Sequence, residues 1–320
     1  MANFWQNLPV PFLVLAPMDD VTDVVCREVI ARTARPDVFF TEFTNADALF
    51  SRGRDAVIRK LKFTKNQHPI VAQIWGKGAE NMGKAAELVK ELGFDGVDIN
   101  MGCPVPAVMK KGAGAGHIGD YNRSKEIIQA VREGSKGISF SIKTRLGQEE
   151  NIAREWGTFL LQQKLDALIV HGRTASQMSR GEADWQEIGK IVEIRNEICP
   201  ETVVIGNGDI KSYAQALDMH KKYKVDGVMI GRGIFSNPWI FEKKENAVPR
   251  STQDFIDVFI NHIQLFEETW GDTKNFELMK KFVKMYIQEF PGAHNLRTKL
   301  MECKKANEMT EILRGYKLLT

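Results

Sequence analysis

Short apolar runs alternate with amphipathic stretches over the first 240 residues of the chain. Eight runs predict strands: Phe12–Ala16, Val38–Glu42, Ile70–Ile74, Gly96–Asn100, Ser139–Thr144, Ala167–His171, Val203–Gly206 and Gly227–Ile230. Most are continuously apolar, which is typical of strands that are covered on both faces. The segments between most of them have helical spacing, so the pattern predicts a parallel sheet built from strand–helix units.

Eight strand–helix units in about 240 residues have the size of a (β/α)8 barrel. A doubly wound open sheet is the alternative, but it does not require eight units, and no G-x-G-x-x-G sequence follows the first strand. We therefore expect an α/β fold of the (β/α)8 TIM-barrel type.

The pattern changes after Trp239. The stretch Lys243–Arg250 is charged and contains a proline, as expected of a linker. Helical spacing then dominates, in Phe255–Thr269, Asn275–Glu289, Leu296–Lys305 and Asn307–Tyr316. We predict two domains, a barrel over residues 1–242 and a small all-helical domain over residues 243–320.

Composition adds few constraints. The chain has 320 residues, 43% hydrophobic and 27% charged, and a net charge of +3, which is too small to indicate a partner. Its four cysteines are far apart with no C-x-x-C pair, which argues against a zinc site or disulfides. The apolar run over residues 9–18 is too short to span a bilayer. We expect a cytoplasmic protein with no metal and no membrane segment.

Polar or unusual residues follow every predicted strand. They are Pro17–Asp19, Glu42, Asn45, Gln73, Asn100, Cys103, Lys143, Arg145, His171, Arg173, Asn207–Asp209 and Gly231–Gly233. Active sites of such barrels are built at the carboxyl ends of the strands. Since packing alone does not explain polar groups at one end of every strand, the pattern predicts a functional site there.

Three features of these strand ends favour an anionic ligand. Asn207–Asp209 and Gly231–Gly233 are glycine-rich turns after the last two strands, where barrels of this type bind phosphate, although either turn alone would pass for a tight turn. Lys143 lies within an apolar strand, and a lysine inside a barrel is costly unless it meets an anion; the alternative is an outward side chain in the helix layer. His171 has no metal-ligand partner at helical spacing, so we do not interpret it as a metal ligand. A lone histidine is more often structural, but its position at a strand end favours a contact with a cofactor or substrate.

Cys103 lies in the loop Asn100–Pro104 after the fourth strand, where there is little core to fill. The other cysteines are interpreted as small hydrophobic residues. A thiol can act as nucleophile, base or acid, and the residues alone do not choose among these roles.

Several motifs, in order, resemble those of the tRNA-dihydrouridine synthases. They are Ala16–Met18 with Val21–Asp23, Val97–Pro104 with Lys110–Ala115, His171–Thr174, Gly206–Asp209, and Gly231–Gly233 with Asn237–Trp239. The resemblance covers residues of about 12 to 240 and is looser over the tail. It implies an FMN-containing barrel with a helical domain that reduces uridine to dihydrouridine in tRNA with NADPH.

The resemblance also implies roles for particular residues. The FMN site would comprise Pro17, Met18, Asp19, Gln73, Lys143, His171, Asn207, Gly208, Asp209, Gly231 and Arg232. Cys103 would give a proton to C5 of the pyrimidine while hydride moves from flavin N5 to C6. Asn100 and Arg145 would contact the uridine, which must leave its stack to reach the flavin.

The chain departs from the family pattern at Met178–Arg180, Gly116–Ile118 and Lys280–Phe282, which bears on how RNA is held. From Lys274 to Thr320, ten Lys and Arg stand against five acids. Basic clusters neutralise phosphates, although a solvated helical face has the same composition. With the resemblance, Lys281, Lys284 and Arg297 are the predicted tRNA contacts.

Two other functions fit parts of the pattern. A flavin barrel acting on a free pyrimidine, such as a dihydroorotate dehydrogenase, needs the phosphate turns and Lys143 but no basic helical tail. A non-catalytic RNA-binding protein would keep the barrel without a flavin. For the tRNA-dihydrouridine synthase that the resemblance implies, we expect a monomer.

Overall fold

The computed structural model describes residues 3–244 and 249–317, so residues 245–248 of the predicted linker lie outside it. Its strands are β1 (Phe12–Leu15), β2 (Phe39–Phe40), β3 (Thr44–Asn45), β4 (Ile70–Trp75), β5 (Gly96–Met101), β6 (Ser139–Arg145), β7 (Ala167–His171), β8 (Val203–Asn207) and β9 (Gly227–Ile230). They pair in parallel in the order β1-β9-β8-β7-β6-β5-β4-β2, and β3 also pairs with β4. A bridge between Val14 and Val38 joins β1 to β2. The sheet is a nearly closed barrel, as predicted.

Helices surround the barrel and follow it. Around the sheet lie α1 (Val24–Thr33), α2 (Ala46–Leu49), α3 (Arg54–Ile58), α4 (Ala79–Glu91), α5 (Pro106–Met109), α6 (Tyr121–Gly134), α7 (Ala153–Gln162), α8 (Trp185–Ile198) and α9 (Tyr213–Tyr223). After the barrel come α10 (Thr252–Trp270), α11 (Val283–Tyr286), α12 (Ala293–Glu302) and α13 (Ala306–Lys317). Among the described residues, every helix is too short or too polar to cross a lipid bilayer.

The second predicted strand is shorter than expected. The run Val38–Glu42 supplies only the two residues of β2, and the chain then pairs again as β3 with the far end of β4. Between the two strands the Thr41 hydroxyl accepts from the Gln73 amide nitrogen at 3.1 Å, in place of a ladder hydrogen bond. A side chain that replaces a backbone acceptor leaves no trace in the hydrophobic pattern.

The barrel interior has an apolar floor. Alternate residues of each strand point inward. Apolar ones pack with Trp5 of the 3-10 turn Phe4–Asn7 into one buried cluster, whose other members are Phe12, Val14, Ala16, Val38, Phe40, Val71, Ala167, Ile169, Val203, Ile205 and Met229. The outward-facing residues join the helices in a second cluster that continues into α10–α13. Polar inward residues are concentrated on β4, β5 and β6 and near the carboxyl ends.

The tail differs from prediction at Asn275–Glu289, which is not one helix. Phe276–Phe282 is a 3-10 helix, and only Val283–Tyr286 is α-helical. Phe276, Met279 and Phe282 repeat at a spacing of three, which aligns them on one face of a 3-10 helix. Met279 and Phe282 are buried on that face.

Asp23 connects the tail to the barrel. One carboxylate oxygen caps α1 by accepting from the amide nitrogens of Val25 and Cys26 at 3.1 and 3.0 Å. The other accepts from Trp270 Nε1 at 2.9 Å and from Lys274 Nζ at 2.8 Å. Burial works to raise the pKa of Asp23, but the charge of Lys274 and the hydrogen bonds hold it below its usual value.

We expect Asp23→Ala to lower the free energy of unfolding by about 3 kcal/mol, because it removes a helix cap and leaves Lys274 without its partner in a buried site. Asp120→Ala is the control, since Asp120 caps α6 through the Arg123 amide and has no bond to the described part of the tail. Its expected cost is about 1 kcal/mol. Urea unfolding monitored by circular dichroism measures both, and equal losses would show that Asp23 acts only as a cap.

Candidate active site

A cavity of about 1280 Å³ opens at the carboxyl ends of the strands. Predicted residues from seven of the eight predicted strand ends line this cavity. The second strand end contributes Phe43, which was not among the predicted residues. The predicted site residues that line the cavity are Pro17, Met18, Gln73, Asn100, Cys103, Lys143, Arg145, His171, Asn207, Gly208, Asp209, Gly231 and Arg232. The structure therefore brings most of the predicted site into one space.

Asp19 is near the mouth but does not line the cavity. Its carboxylate pairs with Lys60 and lies close to the carboxylates of Asp20 and Glu42. Asp20 in turn contacts Lys281 of the tail at 3.4 Å. Lys60 and Lys281 thus offset part of the negative charge of this acidic group, and Asp19 pairs with Lys60.

The predicted RNA contacts of the tail have different surroundings. Lys281 and Lys284 are both exposed, and Lys281 forms an ion pair with Asp20. Arg297 donates to the carbonyls of Ile287 and Gln288 at 3.1 and 3.2 Å, which fixes the turn before α12. Of the three, Arg297 has the clearest structural role.

Lys143 points into the barrel, as predicted. It lies two residues after Ser141 and therefore on the same face of β6. Its Nζ donates to Asn207 Oδ1 of β8 at 3.1 Å. Burial lowers the pKa of Lys143 to about 8, and the neighbouring Arg145 adds to the shift. The ammonium group thus lies where an anionic ligand would stabilise it.

His171 is a neutral hydrogen-bonding group in this site. Burial, followed by the charges of Lys143, Arg145, Arg173 and Arg232, holds its pKa far below the usual value. Arg173 Nη1 lies 3.2 Å from His171 Nε2. A guanidinium can only donate, so Nε2 accepts and Nδ1 carries the proton.

The two glycine-rich turns offer backbone donors. Among the described residues, the amide nitrogens of Gly208, Asp209 and Gly231 have no hydrogen-bond acceptor. Gly208 has φ +140°, and a Cβ there would lie 2.4 Å from the Ala183 side chain. Free amide groups beside cationic side chains are what a phosphate requires.

Two arginines carry positive charge at the end of the cavity near the glycine-rich turns. Arg173 is buried and pairs with Asp209 at 2.5 Å, and Arg232 reaches the same carboxylate at 3.5 Å. The flavin site predicted from the resemblance includes Arg232 but not Arg173, although Arg173 follows His171 by two residues at a strand end. Its position in the sequence was the available signal.

Cys103 is held at the opposite side of the cavity. Its amide nitrogen donates to Asn100 Oδ1 at 2.8 Å, and its carbonyl accepts from the Ala115 amide at 3.0 Å. A Cβ at Gly114 would come within 2.8 Å of the Cys103 carbonyl, so this glycine permits the close approach. Burial raises the pKa of the thiol, which keeps it protonated at neutral pH.

Arg145 clamps the cysteine loop. Its Nε donates to Gly102 O at 2.8 Å, and its Nη1 donates to Thr174 O and Met178 O at 2.9 and 2.8 Å. Nη2 has no acceptor within the described ranges, and the residue lines the cavity. Arg145 therefore positions two loops and retains a donor for a ligand.

Comparisons with known proteins agree on one family. The family model "Dihydrouridine synthase (Dus)" matches residues 14–319. A "Probable tRNA-dihydrouridine synthase 2" of Bacillus subtilis (strain 168) is 43% identical over 317 residues, with 98% of this chain and 96% of that protein covered. A "Probable tRNA-dihydrouridine synthase" of Staphylococcus aureus (strain N315) is 41% identical over 314 residues, covering 97% and 94%.

A solved structure of morphinone reductase in complex with tetrahydroNAD shares the barrel. It is 15% identical, with a TM-score of 0.52 over 74% of this chain and 87% of that one, so it supports the fold alone. With the family model matching nearly the whole length and relatives above 40% identity, the chain belongs to the dihydrouridine synthase family.

Proposed function

We propose that the protein is an FMN-dependent tRNA-dihydrouridine synthase that reduces the C5–C6 bond of uridines in tRNA, with NADPH as the electron source. The observation that carries the proposal is one cavity with a protonated thiol on one side and an anion-binding set on the other, in a chain of this family. The proposal includes a cytoplasmic monomer that needs no metal ion.

The cavity fits a flavin mononucleotide by its donor set. The free amide groups of the two turns, with His171 and Arg232, suit a phosphate, while Lys143 and Gln73 suit the polar edge of an isoalloxazine. Pro17, Met18 and Asn207 border the same space, and Asp209 holds the arginines; Asp19 would support it from the rim. When bound, the flavin would supply hydride to C6 of the base.

Cys103 is the proposed acid for C5. Its thiol carries a proton at neutral pH because burial disfavours the thiolate, and an acid must begin the reaction protonated. Asn100 fixes its backbone, and Arg145 fixes the loop and offers Nη2 to the extruded base.

The proposal divides the chain into a catalytic domain over residues 1–242 and a tRNA-binding helical domain over residues 243–320. Lys281 and Lys284 are exposed near the cavity mouth, since Lys281 contacts Asp20. Arg297 would contribute by fixing the turn and, at its exposed part, by charge.

Lys281→Glu/Lys284→Glu should weaken tRNA binding by about tenfold or more and reduce the slope of log affinity against log salt by about 2, because two phosphate contacts are lost. Lys221→Glu/Lys222→Glu is the matched control. These lysines are exposed in the last turn of α9, a helix of the barrel and not of the tail. Filter binding at several salt concentrations measures both variants, and an equal loss in both would remove the assignment.

The function itself is tested by mapping dihydrouridine in tRNA from cells with and without the protein. Loss of dihydrouridine at defined positions, restored by the wild-type gene, is the expected result. Purified protein should absorb near 450 nm, in the ordinary range of flavins. Turnover of free uridine or dihydroorotate without tRNA would instead favour a free-pyrimidine enzyme.

A further inference from the structure

A line of polar side chains crosses the barrel interior below the cavity. Gln73, Asp98 and Ser141 are register partners on β4, β5 and β6, so they form one layer. All three are fully or almost fully buried. Asn100 lies two residues beyond Asp98 on the same inward face, next to the loop of Cys103.

The hydrogen bonds of this layer have a fixed direction. The Asp98 carboxylate accepts at Oδ2 from Gln73 Nε2 and at Oδ1 from Ser141 Oγ, both at 2.7 Å. The Gln73 amide therefore turns its Oε1 to Asn100, whose Nδ2 donates to it at 2.9 Å. Asn100 Oδ1 then accepts from the amide nitrogens of Gly102 and Cys103 at 3.1 and 2.8 Å.

The Asp98 carboxylate leaves only one acceptable orientation for the side-chain amides of Gln73 and Asn100. If Gln73 were flipped, its oxygen would face the Asp98 oxygen and its NH2 would face the NH2 of Asn100. Neither pair can form a hydrogen bond, and each would bring together like partial charges of buried groups. The orientation of Asn100, and with it the acceptor for Cys103, follows from Asp98.

We propose that Asp98 is a positioning residue that holds the Cys103 loop in place through Gln73 and Asn100. Its importance for proton transfer rests on the proposed function, whereas its control of the loop does not. Burial raises the pKa of Asp98 to about 7, while Ser141, Gln73 and Lys143 oppose the rise. The two donated hydrogen bonds favour the acceptor form that the chain of bonds requires.

The test uses the purified full-length protein with its bound flavin and two readouts that need no tRNA. Hydrogen exchange reports the amides of Gly102 and Cys103, and iodoacetamide alkylation followed by peptide mass analysis reports the Cys103 thiol. In Asp98→Ala we expect both rates to rise by about tenfold or more, the factor for losing one hydrogen bond to a charged group. Exchange in β8 should stay unchanged.

Asp98→Asn is the conservative variant. Its side-chain oxygen can still accept from Gln73, and its NH2 can donate to the rotatable Ser141 hydroxyl. Both rates should therefore remain within about twofold of wild type. Ser139→Ala is the matched control, because Ser139 is a buried serine of β6 whose hydroxyl has no hydrogen-bond partner among the described residues. It should have no effect on either rate.

Gln73→Met removes the hydrogen bonds that Gln73 forms with Asp98 and Asn100. It tests the proposal even where Asp98→Ala does not fold. It should raise both rates as Asp98→Ala does, and the double variant should be no worse than either single one. Unchanged rates in Gln73→Met, or exchange rising equally across β5, β6 and β8 in Asp98→Ala, would overturn the proposal.

Turnover separates this proposal from the proposed function. With tRNA, Asp98→Ala should lower kcat by about tenfold and leave KM within about twofold, because the variant disturbs the acid and not RNA binding. If wild type makes no dihydrouridine, the function is wrong while the exchange and alkylation results still decide the positioning role. If wild type is active and kcat is unchanged in a variant with a loosened loop, the catalytic part of the positioning role fails.

Discussion

Cys103→Ala should reduce dihydrouridine formation in tRNA by a factor of about 10² to 10⁴, the range for losing a general acid. Alanine leaves the backbone bonds of the loop to Asn100 and Ala115 available, so the loop should keep its conformation. Reduction of the bound flavin by NADPH in the absence of tRNA should stay within about twofold of wild type, because that step needs no proton from the thiol.

Cys199→Ala is the control for this experiment. Cys199 lies after α8 near the amino end of β8, and its thiol contacts the Thr202 hydroxyl rather than the cavity. Mass-spectrometric counting of dihydrouridine at single turnover compares the two variants. Full activity in Cys103→Ala would exclude the thiol as the acid, and equal loss in both would indicate damage unrelated to the cavity.

The second large effect is expected for Lys143→Met. Methionine keeps the length and apolar body of the side chain but removes the ammonium group that meets Asn207 inside the cavity. Under the proposed function that charge stabilises the reduced flavin, so the rate of flavin reduction by NADPH should fall by about 10², the order found when one preorganised donor is removed. Lys136→Met, on the exposed turn before β6, should have no effect.

Lys143 also predicts a pH dependence. Because burial lowers the pKa of Lys143 to about 8, the cation is present below that pH and is lost as the pH rises through it. The rate of flavin reduction in wild type should therefore decline above about pH 8, and the rate in Lys143→Met should lack this decline. Stopped-flow absorbance at several pH values measures both, and parallel profiles in the two proteins would exclude Lys143 as the responsible group.

The barrel and much of the site could be predicted from sequence because their signals are local. Each strand is a short apolar run, and residues such as Asn100, Lys143 and His171 interrupt or end one. Since the carboxyl ends of parallel strands meet on one side of a barrel, separate strand ends become one site. The positions thus follow from chain order alone.

Other features depend on partners that are distant in sequence. Asp98 carries the same signal as Lys143, a charge within an apolar strand, but its meaning depends on Gln73 and Ser141 of the neighbouring strands. Arg297 is one of the basic residues that suggest RNA binding by the tail, yet its guanidinium donates to backbone carbonyls of the turn before α12. Asp19 follows the first strand but turns to Lys60. Side-chain direction decides each case, and periodicity does not report it.

The apolar floor beneath the cavity determines from which side ligands can enter the barrel. Trp5 and the apolar residues packed with it fill the amino end of the barrel, so the described residues close the cavity there and leave its mouth at the carboxyl end. Under the proposed function, the nicotinamide and the uridine approach the flavin through that mouth and need the same place beside it. The two substrates would therefore bind one after the other, and the two half-reactions would be separated in time.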